Sequence, residues 1–279
     1  MSFIDVYLNY SCYNRLKVYY ERSQLTGLGR GYLGESIDVL KKGGINTSPY
    51  YKLFEELARL FSGDDASIRY GIIPSCIYIN YLLNKNMRAN YGYLYNEESF
   101  KILKLFDHNY SIKKYNNLKN SCESYIRFLD TNEYKSMDVL YELYYLYDQL
   151  VSSNIQNNIG LSCAYISLLA RHYRNILDIP NVSKFLLSKL ESLKELIVER
   201  EKNFKLKCSL TLPQITLPTE DTTNSVGHYG KKNKNKKKDY MEKHNMYNIQ
   251  YYQEQGSQDK KLKTHITCCR GFLIEGLTK

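Results

Sequence analysis

"MDVLYELYYLYDQLVSSN", residues 137–154, decides the fold class. Leu140, Leu143, Tyr144, Tyr147 and Leu150 fall at i, i+3, i+4, i+7 and i+10, with Asp138, Glu142 and Gln149 off that line. This is the period of an amphipathic helix. A Tyr/Leu face at that spacing is read as packing. Tyr141 and Tyr145 fall outside the stripe and are expected to face solvent or a neighbouring helix.

The same spacing recurs in both directions. "SCAYISLLARHYRNIL" carries it on Ile166, Leu169, Ala170, Tyr173 and Leu177, and "SKFLLSKLESLKELIVEREKNF" on Leu186, Leu190, Leu193 and Ile197. "SPYYKLFEELARLF" offers Ser48 as N-cap and Pro49 at the first helical position, and Gly63 stops it. Further helices are expected at about 3–21, 34–42, 75–86, 97–107 and 115–130. Sustained period-2 alternation is absent, and Gly43–Gly44 and Asn154–Gly160 punctuate the pattern. The reading is all-α, about seven to nine helices over residues 1–208. "GLGRGYLG" (27–34) lacks the preceding strand of a dinucleotide loop and the Lys-Ser/Thr of a P-loop, so it reads as an interhelical loop.

Composition adds a bias. The 279 residues include Tyr 29, Phe 9 and Trp 0, and the excess of Tyr, Asn, Lys and Ile fits codon drift in an AT-rich genome. Tyrosine fills core volume only if its hydroxyl reaches water or a partner, so a shallow core with rings tipped outward is expected.

The character changes after Lys207. Residues 209–230, with Pro213 and Pro218 among many Thr, read as an extended linker. Residues 231–279 read as a lysine-rich, mostly disordered tail. Of the net charge of +10, residues 227–279 carry +7 (12 Lys/Arg against 5 Asp/Glu), leaving +3 for the first 226. Arguments about anionic partners therefore belong to the tail. Its run Lys231, Lys232, Lys234, Lys236, Lys237 and Lys238 is a solvated segment or a contact for an anionic membrane surface. Six lysines at about 1 kcal/mol each would give reversible attachment. Cys268 and Cys269, beside Phe272, Leu273 and Ile274, are candidates for acylation that would strengthen it. Nucleic acid ranks last, because the run lacks interleaved aromatics.

No stretch approaches the roughly 20 apolar residues of a membrane span. Asp5 stands where the apolar core of a signal peptide would sit. Cys12, Cys76, Cys122, Cys163 and Cys208 are dispersed singly, with no C-x-x-C pair and no histidine at zinc-like spacing. Such cysteines are buried thiols or halves of long-range disulfides, and an odd total of 7 leaves at least one unpaired. The five histidines are scattered, and no catalytic, cofactor-binding or metal-ligating constellation is proposed.

Four segments together resemble one family. "DVLYELYYLYDQL" (138–150) is similar to the "LYELYKLYDxL" helix of the Plasmodium interspersed repeat (PIR) superfamily, in particular its variant Vir branch. "YLNYSCYNRLKVYYE" (7–21) resembles its opening tyrosine–cysteine helix, "CIYINYLLNK" (76–85) its "C-x-YLNYWLYDK" block, and "LSCAYISLLARHYRNIL" (161–177) its later cysteine-bearing helix. Leu82 replaces the tryptophan of that block, and a lysine-rich tail stands where many members carry a transmembrane helix. The resemblance implies a non-enzymatic variant antigen of a malaria parasite. It would be exported to the infected red cell and act in host-protein interaction, adhesion or immune evasion, with no cofactor. It maps the family's cysteines onto Cys12, Cys76 and Cys163, with Cys122 and Cys208 as additions, and implies disulfide pairing among them. Loops 22–34, 84–96 and 152–160 would then be the variable surface. The alternative is an intracellular helical scaffold whose lysine-rich tail binds acidic protein, nucleic acid or anionic membrane.

Overall fold

A computed structural model of the chain describes residues 6–152, 159–177 and 182–204. The chain divides into two units, Met1–Leu217 and Pro218–Lys279, and all described residues lie in the first. They are all-α: nine helices and no strand among the described residues. These are α1 (Tyr10–Arg22), α2 (Gly27–Lys42), α3 (Tyr51–Phe61), α4 (Asp64–Tyr70), α5 (Ile72–Asn90), α6 (Glu97–Tyr115), α7 (Thr131–Val151), α8 (Ile159–Leu177) and α9 (Lys184–Phe204). Single 3₁₀ turns, Ser48–Tyr50 and Gly92–Leu94, precede α3 and α6.

The opening quotation is α7, and it is the hub. Asp130 caps it, its Oδ1 accepting the N–H groups of Asn132 at 2.8 Å and Glu133 at 2.9 Å. Leu140, Leu143, Tyr144, Tyr147 and Leu150 are all buried. The helix packs on α1 and α5 through its tyrosines and on α8 and α9 through other faces. With α1 and α5 on one side and α8 and α9 on another, little of α7 is left to water. Tyr141 is therefore buried to 1%, whereas Tyr145 is 44% exposed under the ammonium of Lys17. A second group forms where α2 and α3 pack on α6, with the Phe54 and Phe106 rings stacked at 4.5 Å.

The core is deeper than a tyrosine-rich composition suggests. Tyr20, Tyr110, Tyr141, Tyr144 and Tyr173 are fully buried. Their burial is affordable where hydroxyls are partnered inside. Tyr144 donates to the Leu8 carbonyl at 3.0 Å, and the Tyr141 hydroxyl accepts the Leu8 N–H at 3.4 Å. Two neighbours lean on carboxylates of α7: Tyr10 donates to Asp148 at 3.2 Å and Tyr81 to Asp138 at 2.7 Å. The rings between them meet edge-on or stacked, Tyr13 against Tyr141 and Tyr81 against Tyr141, each at 4.6 Å.

Four local expectations are corrected. The first helix starts at Tyr10, because Asn9 caps it by accepting the Cys12 N–H at 2.8 Å. Residues 27–34 belong to α2: Thr26 caps that helix, and Gly29 lets its first turn lie close to Ser62 at the end of α3. A Cβ on Gly29 would stand 2.3 Å from Ser62 Oγ. Ser48 is no N-cap: its own N–H donates to Asn46 Oδ1, and it opens the 3₁₀ turn that leads into α3. Of residues 115–130, read as a helix, only Tyr115 is helical, as the last residue of α6. Asn116 ends α6 in the left-handed conformation at φ 56°, and the chain beyond it runs irregularly to Asp130. The linker and tail, 209–230 and 231–279, lie outside the described residues.

Two glycines of α2 should respond in opposite directions. Gly29→Ala is expected to cost about 1–3 kcal/mol by overpacking. Gly34→Ala, with nothing within 4 Å of its added methyl, should stabilise by up to about 1 kcal/mol. Paired thermal melts decide it, and equal shifts would show that the close approach at Gly29 is wrong.

Candidate functional site

The stretch with the densest polar chemistry is the one the helical reading missed. α5 carries Cys76, Asn80, Asn84 and Arg88, each four residues after the last, so the four lie along one face. That face holds residues 122–129 against the helix. Cys76 and Cys122, exposed to 0% and 2%, are joined in a disulfide. One turn on, Asn80 Oδ1 accepts the Arg127 N–H at 2.9 Å. Asn84 donates from Nδ2 to the Arg127 carbonyl at 3.0 Å and accepts the Leu129 N–H on Oδ1 at 3.0 Å. Arg88 Nη2 finishes the series by donating to the Leu129 carbonyl at 3.1 Å.

The arrangement substitutes for a β-ladder. The turn at 123–125 returns the Tyr125 and Ile126 N–H groups to the Cys122 carbonyl. Past it the chain has no helix or strand of its own, so its buried amides must find side chains or pay for desolvation. Asparagine supplies both a donor and an acceptor, which is what alternate inward-facing backbone groups demand. The Asn84 side chain is fully buried, and it also accepts the Tyr95 hydroxyl at 3.0 Å. Arg88 lies between two rings, 4.3 Å from the centre of Tyr95 and 4.4 Å from that of Tyr134. Arg127 pairs with both carboxylate oxygens of Glu133, tying the segment to the first turn of α7.

This clamp defines which surface is held out. Residues 116–120 are exposed along their whole length, and their C-terminal side is anchored at once by Ser121 and Cys122. A second turn, 91–96, is pinned by the burial of Leu94 and by the Tyr95 hydroxyl, which leaves Tyr93 at 73% exposure. The expected variable loops shift accordingly. Residues 27–34 and 84–90 are helical, and 153–158 lie outside the described residues.

Cys12 and Cys163, on α1 and α8, are also disulfide-bonded. Cys208, Cys268, Cys269 and the lysines Lys231, Lys232, Lys234, Lys236, Lys237 and Lys238 lie outside the described residues. Among the described residues no group of three or more His, Cys, Asp or Glu is placed to hold a metal ion. Among them also, no helix is long and apolar enough to cross a membrane.

The signal for the ladder was present as an oddity. Asn80 and Asn84 interrupt an otherwise apolar stretch at helical spacing from Cys76, and buried asparagines at that spacing ask for a partner. What the sequence withheld was the partner, 47 residues away at Arg127. No family model, curated protein or solved structure matches this chain.

Asn84→Ala leaves the Leu129 N–H and the Arg127 carbonyl without their side-chain partner, and should cost about 2–5 kcal/mol. Exposed Asn90→Ala should cost under about 0.5 kcal/mol. Urea unfolding of both variants measures the contrast, and a cost at Asn84 no larger than at Asn90 would remove the ladder as a stabilising element.

Proposed function

We propose that this chain is a non-enzymatic variant antigen of the PIR/Vir type, which acts by holding short loops out toward a host-cell protein from a covalently closed helical scaffold. The observation that carries the reading is the fate of the segments on which the resemblance rests. They lie in α1, α5, α7 and α8, and the tyrosines of the first three pack into one cluster through Tyr13, Tyr78, Tyr81, Tyr141 and Tyr144. The cysteines in them, Cys12, Cys76 and Cys163, are all disulfide-bonded. Residues that make the resemblance are thus also those that make the core, as expected of a scaffold under selection for shape with a variable surface.

Oxidised cysteines bear on compartment. Disulfides persist in secretory and extracellular environments and are rare where glutathione keeps thiols reduced. That supports export over an intracellular adaptor. By the chain-entropy estimate, closing the loop between Cys76 and Cys122, 46 residues apart, is worth about 4 kcal/mol. A scaffold that relies on such a closure would be weakened in a reducing cytosol.

The test is localisation in infected red cells with an antibody to residues 1–208, before and after permeabilising the host membrane. Staining outside the parasite is expected. Signal on intact cells would mean surface display, and signal only after permeabilisation would place the protein beneath the host membrane or in the host cytosol. Staining confined to the parasite interior would overturn export.

A further inference from the structure

We propose that the Cys76–Cys122 disulfide is sealed by the segment 123–129, so that a small thiol such as glutathione reduces it only after that segment has peeled off α5. A bond made in an oxidising compartment then outlasts entry into a reducing one. The proposal concerns the bond itself and holds whether or not the chain is exported.

Little of either cysteine reaches water: Cys76 is 0% exposed and Cys122 2%. The chain holds Cys122 from both sides. Toward the exposed loop, the Asp107 carboxylate of α6 accepts the Ser121 hydroxyl at 2.8 Å and the Cys122 N–H as well. Beyond Cys122 the chain turns back on it, and the Cys122 carbonyl accepts the N–H groups of Tyr125 at 2.8 Å and Ile126 at 2.9 Å. That turn buries Ile126, at 0% exposure, beside the cysteine.

Cys122 is the tether and does not need to move. What moves is the stretch between it and α7. Four side-chain bonds from α5 hold that stretch, through the N–H and carbonyl of Arg127 and of Leu129. Its far end is tied to α7 by the pair of Arg127 with Glu133. Peeling it off also takes Ile126 and Leu129, both 0% exposed, into water. The seal is therefore as strong as the ladder, and loosening the ladder raises the fraction of molecules in which the bond is uncovered.

Reduction is a pair of exchanges. A glutathione thiolate attacks one sulfur, the Cys76–Cys122 bond breaks, a mixed disulfide forms, and the other protein sulfur leaves as a thiolate that takes a proton from water. A second glutathione thiolate attacks the mixed disulfide and releases glutathione disulfide and the second protein thiol. Two glutathiones are thus oxidised for one protein disulfide reduced. The first attack needs a tripeptide to reach a sulfur, which the closed segment denies it. The observed rate is then the chemical rate multiplied by the open fraction.

The test is reduction of the full, oxidised chain by excess glutathione. New thiols are alkylated at intervals, and Cys76 and Cys122 are followed by peptide mass apart from Cys12 and Cys163. The bond should open at least about 100-fold more slowly in native buffer than in concentrated urea. Asn84→Ala should speed the native rate by about tenfold or more. Gly29→Ala, which strains the α2–α3 contact and leaves the segment alone, should change it by less than about twofold. Equal rates in native buffer and urea, or an Asn84→Ala rate no faster than that of Gly29→Ala, would overturn the seal. Should Asn84→Ala fail to fold, Glu133→Gln takes its place, since it loosens the other end of the same segment. Faster reduction of that variant supports the proposal, and an unchanged rate ends it.

Discussion

Burying a phenol is costly unless its hydroxyl finds a partner. The packing of α1 and α5 on α7 meets that condition, whereas the Tyr173 hydroxyl of α8 is buried without a hydrogen bond among the described residues. Tyr141 and Tyr144 reach the backbone at Leu8, ahead of α1, so the chain entry into the first helix is determined by side chains from the seventh. Tyr10 and Tyr81 reach Asp148 and Asp138, which places α1 and α5 on either side of the same α7 face. These hydroxyl contacts fix the relative positions of three helices far apart in sequence. The ring contacts then fill the volume between them. A phenylalanine core of equal size would supply the area without these directional bonds.

The second constraint is the backbone of residues 122–129. Once α6 ends at Asn116, this stretch has to cross α5 with its amides pointing at a helix surface. The disulfide fixes one end, and Asn80, Asn84 and Arg88 read the chain off turn by turn. The Arg127 N–H and carbonyl and the Leu129 N–H and carbonyl are all met by side chains of α5, so the elements depend on one another. Asn84 alone connects α5, the 91–96 turn and the segment before α7. A scaffold of this kind leaves the adjacent loops free to vary, because the bonds that hold it are made by buried groups beneath them.

Seen as a presenter of loops, the molecule separates its tasks by burial. The tyrosine cluster of α1, α5 and α7 and the Cys76–Cys122 disulfide are inside, and the residues of 116–120 and the Tyr93 ring are outside. The Asp107 carboxylate lies at the boundary between the two, buried yet accepting the Ser121 hydroxyl at the base of an exposed loop.

Helical periodicity is a property of neighbours three and four residues apart, so the sequence alone determined the all-α class, the hub helix and most of its buried stripe. The same local information mistook 115–130 for a separate helix, because Leu118, Cys122, Tyr125, Ile126 and Leu129 also fall at helical spacing. In the folded chain Cys122, Ile126 and Leu129 are buried all the same, but on an irregular path that makes only a single turn at 123–125. What overrode the local preference was non-local: a covalent bond to Cys76 and side-chain amides from α5 that replace the hydrogen bonds a helix would have made internally. The burial of Tyr141 and the pairing of the two asparagines belong to the same class. The Tyr141 hydroxyl finds Leu8, and the asparagines find Arg127 and Leu129, 47 and 45 residues away, which spacing along the chain does not encode.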